Sequence, residues 1–385
     1  MLTDALSEKM ANDALLMVAD SDRDANMLYA VGMFVRDPFI YMQLDGQAHI
    51  IMSDGELNRA RSQASHCQVH SLNAYLQRLR RDGQKSPRLQ DVIAHVLKKN
   101  KIRKVAVPQT FPLAIARDLK RFGFKVKPAK GQLFPARERK TTAEVKKISA
   151  ALTMAEVGLA EGIQALRNSK IGKQGEICYH GSALTSERLR GIINTAIIQA
   201  GGAVSHTIVA GGRLSCDPAE AGHGILPAHL PIILDVFPRS QRTGYFGKIT
   251  RTVVKGRASE PVRALFHTVA TAQEVAFARL TPANAARDVH ASVASHFESA
   301  GYRNRRSNGR LQGFLHETGH GVGLENQEPP GISHDSNDRI ASGNVISIHP
   351  GLYYSETGGI RLEDIAFVGR TRARNLTKFE KLLEV

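Results

Sequence analysis

Several apolar runs in the second half of the chain end on residues able to bind cations or move protons. Pro231-Ile232-Ile233-Leu234 delivers Asp235. Val345-Ile346-Ser347-Ile348 delivers His349 just before Pro350-Gly351. Gly359-Ile360-Arg361-Leu362-Glu363-Asp364 carries an arginine and a carboxylate on a further strand-like segment. Any one of these alone is unremarkable, since a lone carboxylate at a strand end is usually a turn residue. Delivered together from several strand ends, they read as a metal or catalytic site rather than a core.

A fourth segment, His316-Glu317-Thr318-Gly319-His320-Gly321-Val322-Gly323, matches the HExxH zinc-protease pattern literally. That pattern works only on a helix, where positions i and i+4 share a face. Gly319, Gly321 and Gly323 oppose a helix, each by roughly 1 kcal/mol relative to alanine. A strand or extended loop is the expectation here.

The elements that position these residues can be sketched from periodicity. The first part alternates strand and helix signals: an apolar strand run over Ala14 to Ala19, a hairpin from Pro38 to Met52 about Asp45-Gly46, and a helix start at Ser86-Pro87. It reads as an α/β domain over 1–137. The basic stretch from Arg137 to Thr142 breaks the pattern. A long helix follows, with Val145, Ile148, Leu152, Ala155, Leu159, Ile163 and Leu166 on one side. The remainder, 138–385, holds a weak internal echo, in which two helical hairpins are each followed by strand-like sequence. Two related halves of this kind suggest one sheet covered by helices, in an α+β class, with room for a site between the halves.

At 385 residues the chain is long enough for two domains. It has no apolar run long enough for a membrane helix, and Asp4, Glu8 and Lys9 argue against a secretion signal. The scattered Cys67, Cys178 and Cys216 fit a reduced, cytoplasmic setting. The formal charge of +16 suits an anionic partner, although clusters such as Arg303-Asn304-Arg305-Arg306 are few and a basic solvated surface explains most of it.

Taken in order, these segments resemble the aminopeptidase P, prolidase and creatinase family, with its pita-bread fold. His206-Thr207-Ile208-Val209-Ala210-Gly211-Gly212, Gly244-Tyr245, Ile249-Thr250-Arg251-Thr252, His320 to Glu325, Pro350 to Tyr353 and Gly359 to Asp364 carry the resemblance from about Lys140 onward. It implies a pita-bread domain behind an N-terminal creatinase-type α/β domain, and a homodimer. Active members hold two divalent metals on two aspartates, a histidine and two glutamates. Asp235, His320 and Glu363 match three of those ligands, and His316 and Arg361 match auxiliary catalytic groups. The second aspartate falls on Lys248, and the other glutamate on His349. Two further histidines fall on Ala219 and Gln327.

These departures lead to three expectations. Lys248 should pair with Asp235 and Glu363 and replace metal charge without supplying Lewis acidity. His349, with His320, Glu363 and Asp235, could retain one divalent ion of the zinc, manganese or cobalt kind, whereas a two-metal site is not expected. The function implied is an Xaa-Pro-peptidase-like protein without the two-metal reaction, keeping a cleft for a peptide or small molecule. The alternatives are a creatinase-like C–N hydrolase using one metal or none, and an Xaa-Pro metallopeptidase with relocated ligands.

Overall fold

The computed structural model describes residues 13–282, 284–307 and 309–385. Asp4, Glu8 and Lys9 lie outside them. The chain divides into two compact units, Met1–Arg137 and Glu138–Val385.

The first unit is built on a six-stranded mixed sheet. Its order is Gln68–Ser71, Gln47–Met52, Phe39–Leu44, Asp13–Ala19, Lys104–Val107, Lys125–Pro128. The run after Asp13 is continuously apolar because both faces of the sheet are covered. Leu16 packs with Ile40, Val92 and Ile93, while Leu15 and Met17 pack with Met27 and Tyr41 in a separate cluster. The Phe39–Leu44 and Gln47–Met52 strands close through Asp45 and Gly46, both at positive φ (47° and 78°). That pair of conformations matches the twist of the strands it joins. The helix expected at Ser86-Pro87 begins later, at Leu89. The Arg88 amide donates to the Asp91 carboxylate (2.8 Å), so the cap forms beyond the proline.

The second unit is α+β. Helices Thr142–Arg167 and Ser186–Gln199 form one pair, and Glu260–Arg279 and Ala286–Ser299 the other. Thr141 and Glu144 cap the first helix reciprocally. Of the residues read on its inner side, Ile148, Leu152, Ala155, Leu159, Ile163 and Leu166 are buried. The first pair is followed by a sheet ordered Ile208–Gly211, Pro231–Val236, Ile249–Val254. The second is followed by a sheet ordered Glu328–Ile332, Gly319–Gly321, Val345–Ile348, Asp364–Val368, Ala373–Asn375.

The two sheets meet along the Ile249–Val254 strand. Thr250 and Glu363 form an antiparallel bridge, and the Glu363 amide donates to the Thr250 carbonyl (3.0 Å). Arg251, 1% exposed, fastens the seam. Its guanidinium bonds the Glu363 carbonyl (2.8 Å) and the Asp364 carboxylate (2.8 Å), and also the carbonyls of Phe379 and Glu380. Among the described residues no helix is long and apolar enough to cross a membrane.

The glycines around His320 serve strand pairing and not a helix. Gly319–Gly321 is a strand held between Glu328–Ile332 and Val345–Ile348. A Cβ at Gly319 would fall on the Ser347 carbonyl oxygen, and one at Gly321 on the Pro329 carbonyl oxygen. Only glycine allows three backbones this close. Gly321→Ala should therefore lower the unfolding free energy by about 3 kcal/mol. Gly331→Ala, where the nearest atom is 4.0 Å away, should change it far less; denaturant titration of both variants checks the contrast.

Candidate functional site

The seam gathers the residues singled out in the sequence. Asp235 stands on Pro231–Val236, opposite Thr250, and Lys248 directly precedes Ile249–Val254. His320, opposite Ser347, lies on Gly319–Gly321. His349 follows Val345–Ile348, Arg361 closes Gly358–Arg361, and Glu363 precedes Asp364–Val368. Asp235, Lys248, His320, Arg361 and Glu363 are all buried.

Lys248 is the hub. Its Nζ is 3.2 Å from Glu363 Oε1 and 3.1 Å from His320 Nε2. His320 Nδ1 lies 3.0 Å from the Gly321 carbonyl, so Nδ1 carries the proton and donates there. Nε2 then presents its lone pair to the ammonium, the orientation an imidazole takes toward a metal. Glu363 is otherwise saturated: Ser347 Oγ also donates to Oε1, and Thr250 Oγ1 to Oε2 (2.7 Å).

Asp235 belongs to a second pair. Its Oδ2 accepts from Arg361 Nη2 (2.7 Å), and Arg361 Nη1 reaches the Pro218 carbonyl (3.2 Å). The direct ion pair of Lys248 is thus with Glu363 and that of Asp235 with Arg361, while the ammonium still acts on the Asp235 carboxyl and lowers it. Asp235 Oδ1 and Arg361 Nε remain buried without a hydrogen-bond partner. Such atoms cost free energy unless something satisfies them.

The remaining candidates surround this core. His316 Nδ1 donates to the Glu317 carbonyl (2.8 Å), leaving Nε2 to accept from Tyr353 Oη (2.8 Å). His349 Nδ1 faces Ser347 Oγ (3.2 Å) and Glu363 Oε1 (3.7 Å). Gln327 is exposed, and its amide donates to Glu317 Oε1 (2.7 Å). Ala219 is exposed, next to the Pro218 carbonyl that Arg361 binds. Among the described residues, the group whose donor atoms lie within 4.8 Å of one another is Glu317, His320 and His349. This group shares His320 and His349 with the single-ion set expected from sequence and holds Glu317 where that set has Glu363 and Asp235. Lysine and two hydroxyls occupy Glu363, and arginine holds Asp235.

Four participants escaped the sequence reading: Thr250, Glu317, Ser347 and Tyr353. For Thr250 and Ser347 a signal existed, because each is a hydroxyl inside a run otherwise suited to a buried strand, where it needs a partner.

Charges and burial together set the protonation states. Burial would raise Glu363, but Lys248 and then the Ser347 and Thr250 hydroxyls hold it down at about 2. Asp235 moves the opposite way, raised by burial more than Arg361 lowers it. Burial, reinforced by Lys248, lowers His320 to about 4. Burial also lowers His316 to about 4, with Arg361 adding to the effect. His349 is pushed well below its usual range by burial, then by His320 and Lys248. Glu317 is raised by burial, against Lys248, and Tyr353 is pushed up to about 12, chiefly by burial. At neutral pH the cluster thus holds three neutral imidazoles.

Known proteins share this arrangement of elements. Residues 146–370 match the model of metallopeptidase family M24. An Xaa-Pro dipeptidase of Pyrococcus furiosus is 34% identical over 139 residues, covering 36% of this chain and 38% of that protein. One from Lactobacillus delbrueckii is 25% identical over 248 residues, 64% of this chain and 61% of that protein. The match thus spans little more than a third of the length of the first of these relatives. In fold, the chain is similar to an X-Pro aminopeptidase from Thermotoga maritima (TM-score 0.80, 21% identity, 97% of this chain and 98% of that one). It is also similar to the prolidase from Pyrococcus furiosus (TM-score 0.77, 21% identity, 96% and 97%). These likenesses establish the pita-bread fold.

The buried imidazoles make stability depend on pH. A histidine lowered in the folded state contributes fully above its unfolded value of about 6.5 and loses that contribution as pH falls. For His316 the loss should run from about 6.5 down to its folded value near 4 and amount to at most about 3 kcal/mol. His316→Gln should flatten the stability–pH curve across this window, as read by urea midpoints at several pH values.

Proposed function

Because the chain belongs to metallopeptidase family M24, in its aminopeptidase P and prolidase branch, we propose that it is an Xaa-Pro-peptidase-like protein without the two-metal reaction. It keeps the cleft for a peptide or small-molecule ligand. The observation that carries this reading is the placement of Lys248 Nζ against both His320 Nε2 and Glu363 Oε1. Two divalent ions would need those same lone pairs, together with the Asp235 oxygen that Arg361 now binds. The residues present therefore do not fit the family's metal pair. Lysine and arginine supply positive charge at these ligands, but an ammonium does not polarise a scissile carbonyl as a Lewis acid does, nor activate a bound water.

The orphaned Asp235 Oδ1 acceptor and Arg361 Nε donor favour retained binding. A ligand offering both an N–H and a carbonyl or carboxylate, as a short peptide does, would satisfy them. The relatives named as Xaa-Pro dipeptidases make that ligand class the natural first test.

Protein purified without chelators and analysed for metal should contain fewer than two equivalents per chain and should leave Xaa-Pro dipeptides intact. Two equivalents of manganese, cobalt or zinc with Xaa-Pro cleavage would sink the reading. Restoring Ala219→His, Lys248→Asp, Gln327→His and His349→Glu together should raise occupancy to two. Separately, Lys248→Met strands a buried carboxylate and should lower the unfolding free energy by about 3 kcal/mol at neutral pH, measured by urea titration.

A further inference from the structure

The formal charge of +16 is not spread evenly along the chain. Residues 78–130 hold 16 lysines and arginines against three acidic residues, Asp82, Asp91 and Asp118. That segment alone accounts for +13 of the total. All 16 of its cations are exposed. Two of the three acids are already engaged, since Asp91 and Asp118 face Arg88 and Asp118 also faces Arg121.

The fold draws this surplus together at one end of the first unit's sheet. Helix Leu89–Lys99 leads into strand Lys104–Val107, and helix Leu113–Arg121 into strand Lys125–Pro128. The two strands are parallel, so both helix-to-strand turns lie at the same end, with Lys104 opposite Lys125. The Lys125 amide donates to the Arg103 carbonyl (2.8 Å), which brings the turns into contact. Lys98, Lys101, Arg103, Lys104, Lys120 and Lys125 all come from these turns and the residues flanking them. Among the described residues none of the six lies in an ion pair.

Structural duties explain only part of this. A cation in the last turn of a helix offsets its dipole, which accounts for Lys98 and Lys120. A lysine on an edge strand discourages pairing with another chain, which accounts for Lys125. Neither duty applies to Lys104. It stands on an interior strand, directly opposite another lysine, an arrangement that costs stability. Val105 and Val126 pack into the core beneath the two helices, so alternation turns Lys104 and Lys125 to the other face, where both are exposed.

We propose that this end of the first unit binds the phosphate backbone of a nucleic-acid duplex without reading its sequence. A duplex carries one negative charge per roughly 1.7 Å of its axis, so it can meet several of these cations at once. A membrane surface fits less well. The apolar sides of both helices are spent on the core through Val92, Ile93, Val96, Leu97 and Leu119, and the exposed Leu113 lies at the far end of its helix. A single strand also fits less well, because Phe122 is the one exposed aromatic side chain within residues 78–130 and stacking needs several.

Fluorescence anisotropy of a short labelled DNA duplex of arbitrary sequence, titrated with the full chain at several salt concentrations, tests the assignment. Six phosphate contacts should weaken binding about a thousandfold between about 50 and 200 mM salt, a log–log slope of about five. Lys104→Gln, Lys120→Gln and Lys125→Gln together should lower that slope by about three and weaken binding at the lower salt by about a hundredfold or more. Lys101→Gln alone, outside both strands, should lower the slope by about one. Removing the same charge from the second unit by Arg303→Gln, Arg305→Gln and Arg306→Gln should leave the slope nearly unchanged. All these positions are exposed, and circular dichroism confirms that each variant is folded. No duplex binding by the wild type at the lower salt overturns the proposal. Equal weakening by the two triple variants also overturns it, because net charge alone would then explain the binding. Tighter binding to vesicles of phosphatidylserine and phosphatidylcholine than to the duplex assigns the surface to a membrane instead.

Discussion

A carboxylate that is 1% exposed has to be answered by positive charge or hydrogen bonds, and Glu363 dictates much of what surrounds it. It sits where the two sheets of the second unit touch. Lysine and two hydroxyls answer its charge, and its backbone ties to Thr250 and Arg251. In the reading advanced here, Lys248 keeps the family's scaffold folded after its metal ligands have changed. A neutral residue at that position would leave the carboxylate stranded. An aspartate would add a second charge in need of an ion.

The seam shows how one set of contacts can serve both fold and site. Arg251 is read in the sequence only as part of the Ile-Thr-Arg-Thr segment. In the structure it joins both sheets to the segment holding Phe379 and Glu380, and lies next to the residue whose hydroxyl holds Glu363. The glycines flanking His320 act similarly. They let three strands approach closely, and that approach sets His320 opposite Ser347. Residues that touch no ligand thereby set the position of those that could.

Much of this was legible in the sequence because backbone patterns are local. The turn at Asp45-Gly46, the stripe from Ile148 to Leu166 and the glycine spacing around His320 each follow from one short window. The pairing within the site was not local. Whether Lys248 meets Asp235 or Glu363 depends on where Arg361 arrives from a distant strand. Whether Glu363 has a free oxygen depends on Ser347 and Thr250, which lie on two different strands. Glu317 was hidden differently: it sits inside a literal HExxH pattern, and in the structure it lies in the loop just before the strand Gly319–Gly321.

Thr250 and Glu363 are 113 residues apart in sequence, and the Lys248–Glu363 and Asp235–Arg361 ion pairs span comparable gaps. Contacts of that separation form late, since a long loop has to be closed before they return any free energy. On the ribosome the order is stricter still. The first half can complete its sheet while Lys248 remains in water, where an unpaired ammonium carries no penalty. Only after Glu363 has left the exit tunnel does a dry place for that charge exist, so the ion-paired seam is among the last features a newly made chain acquires.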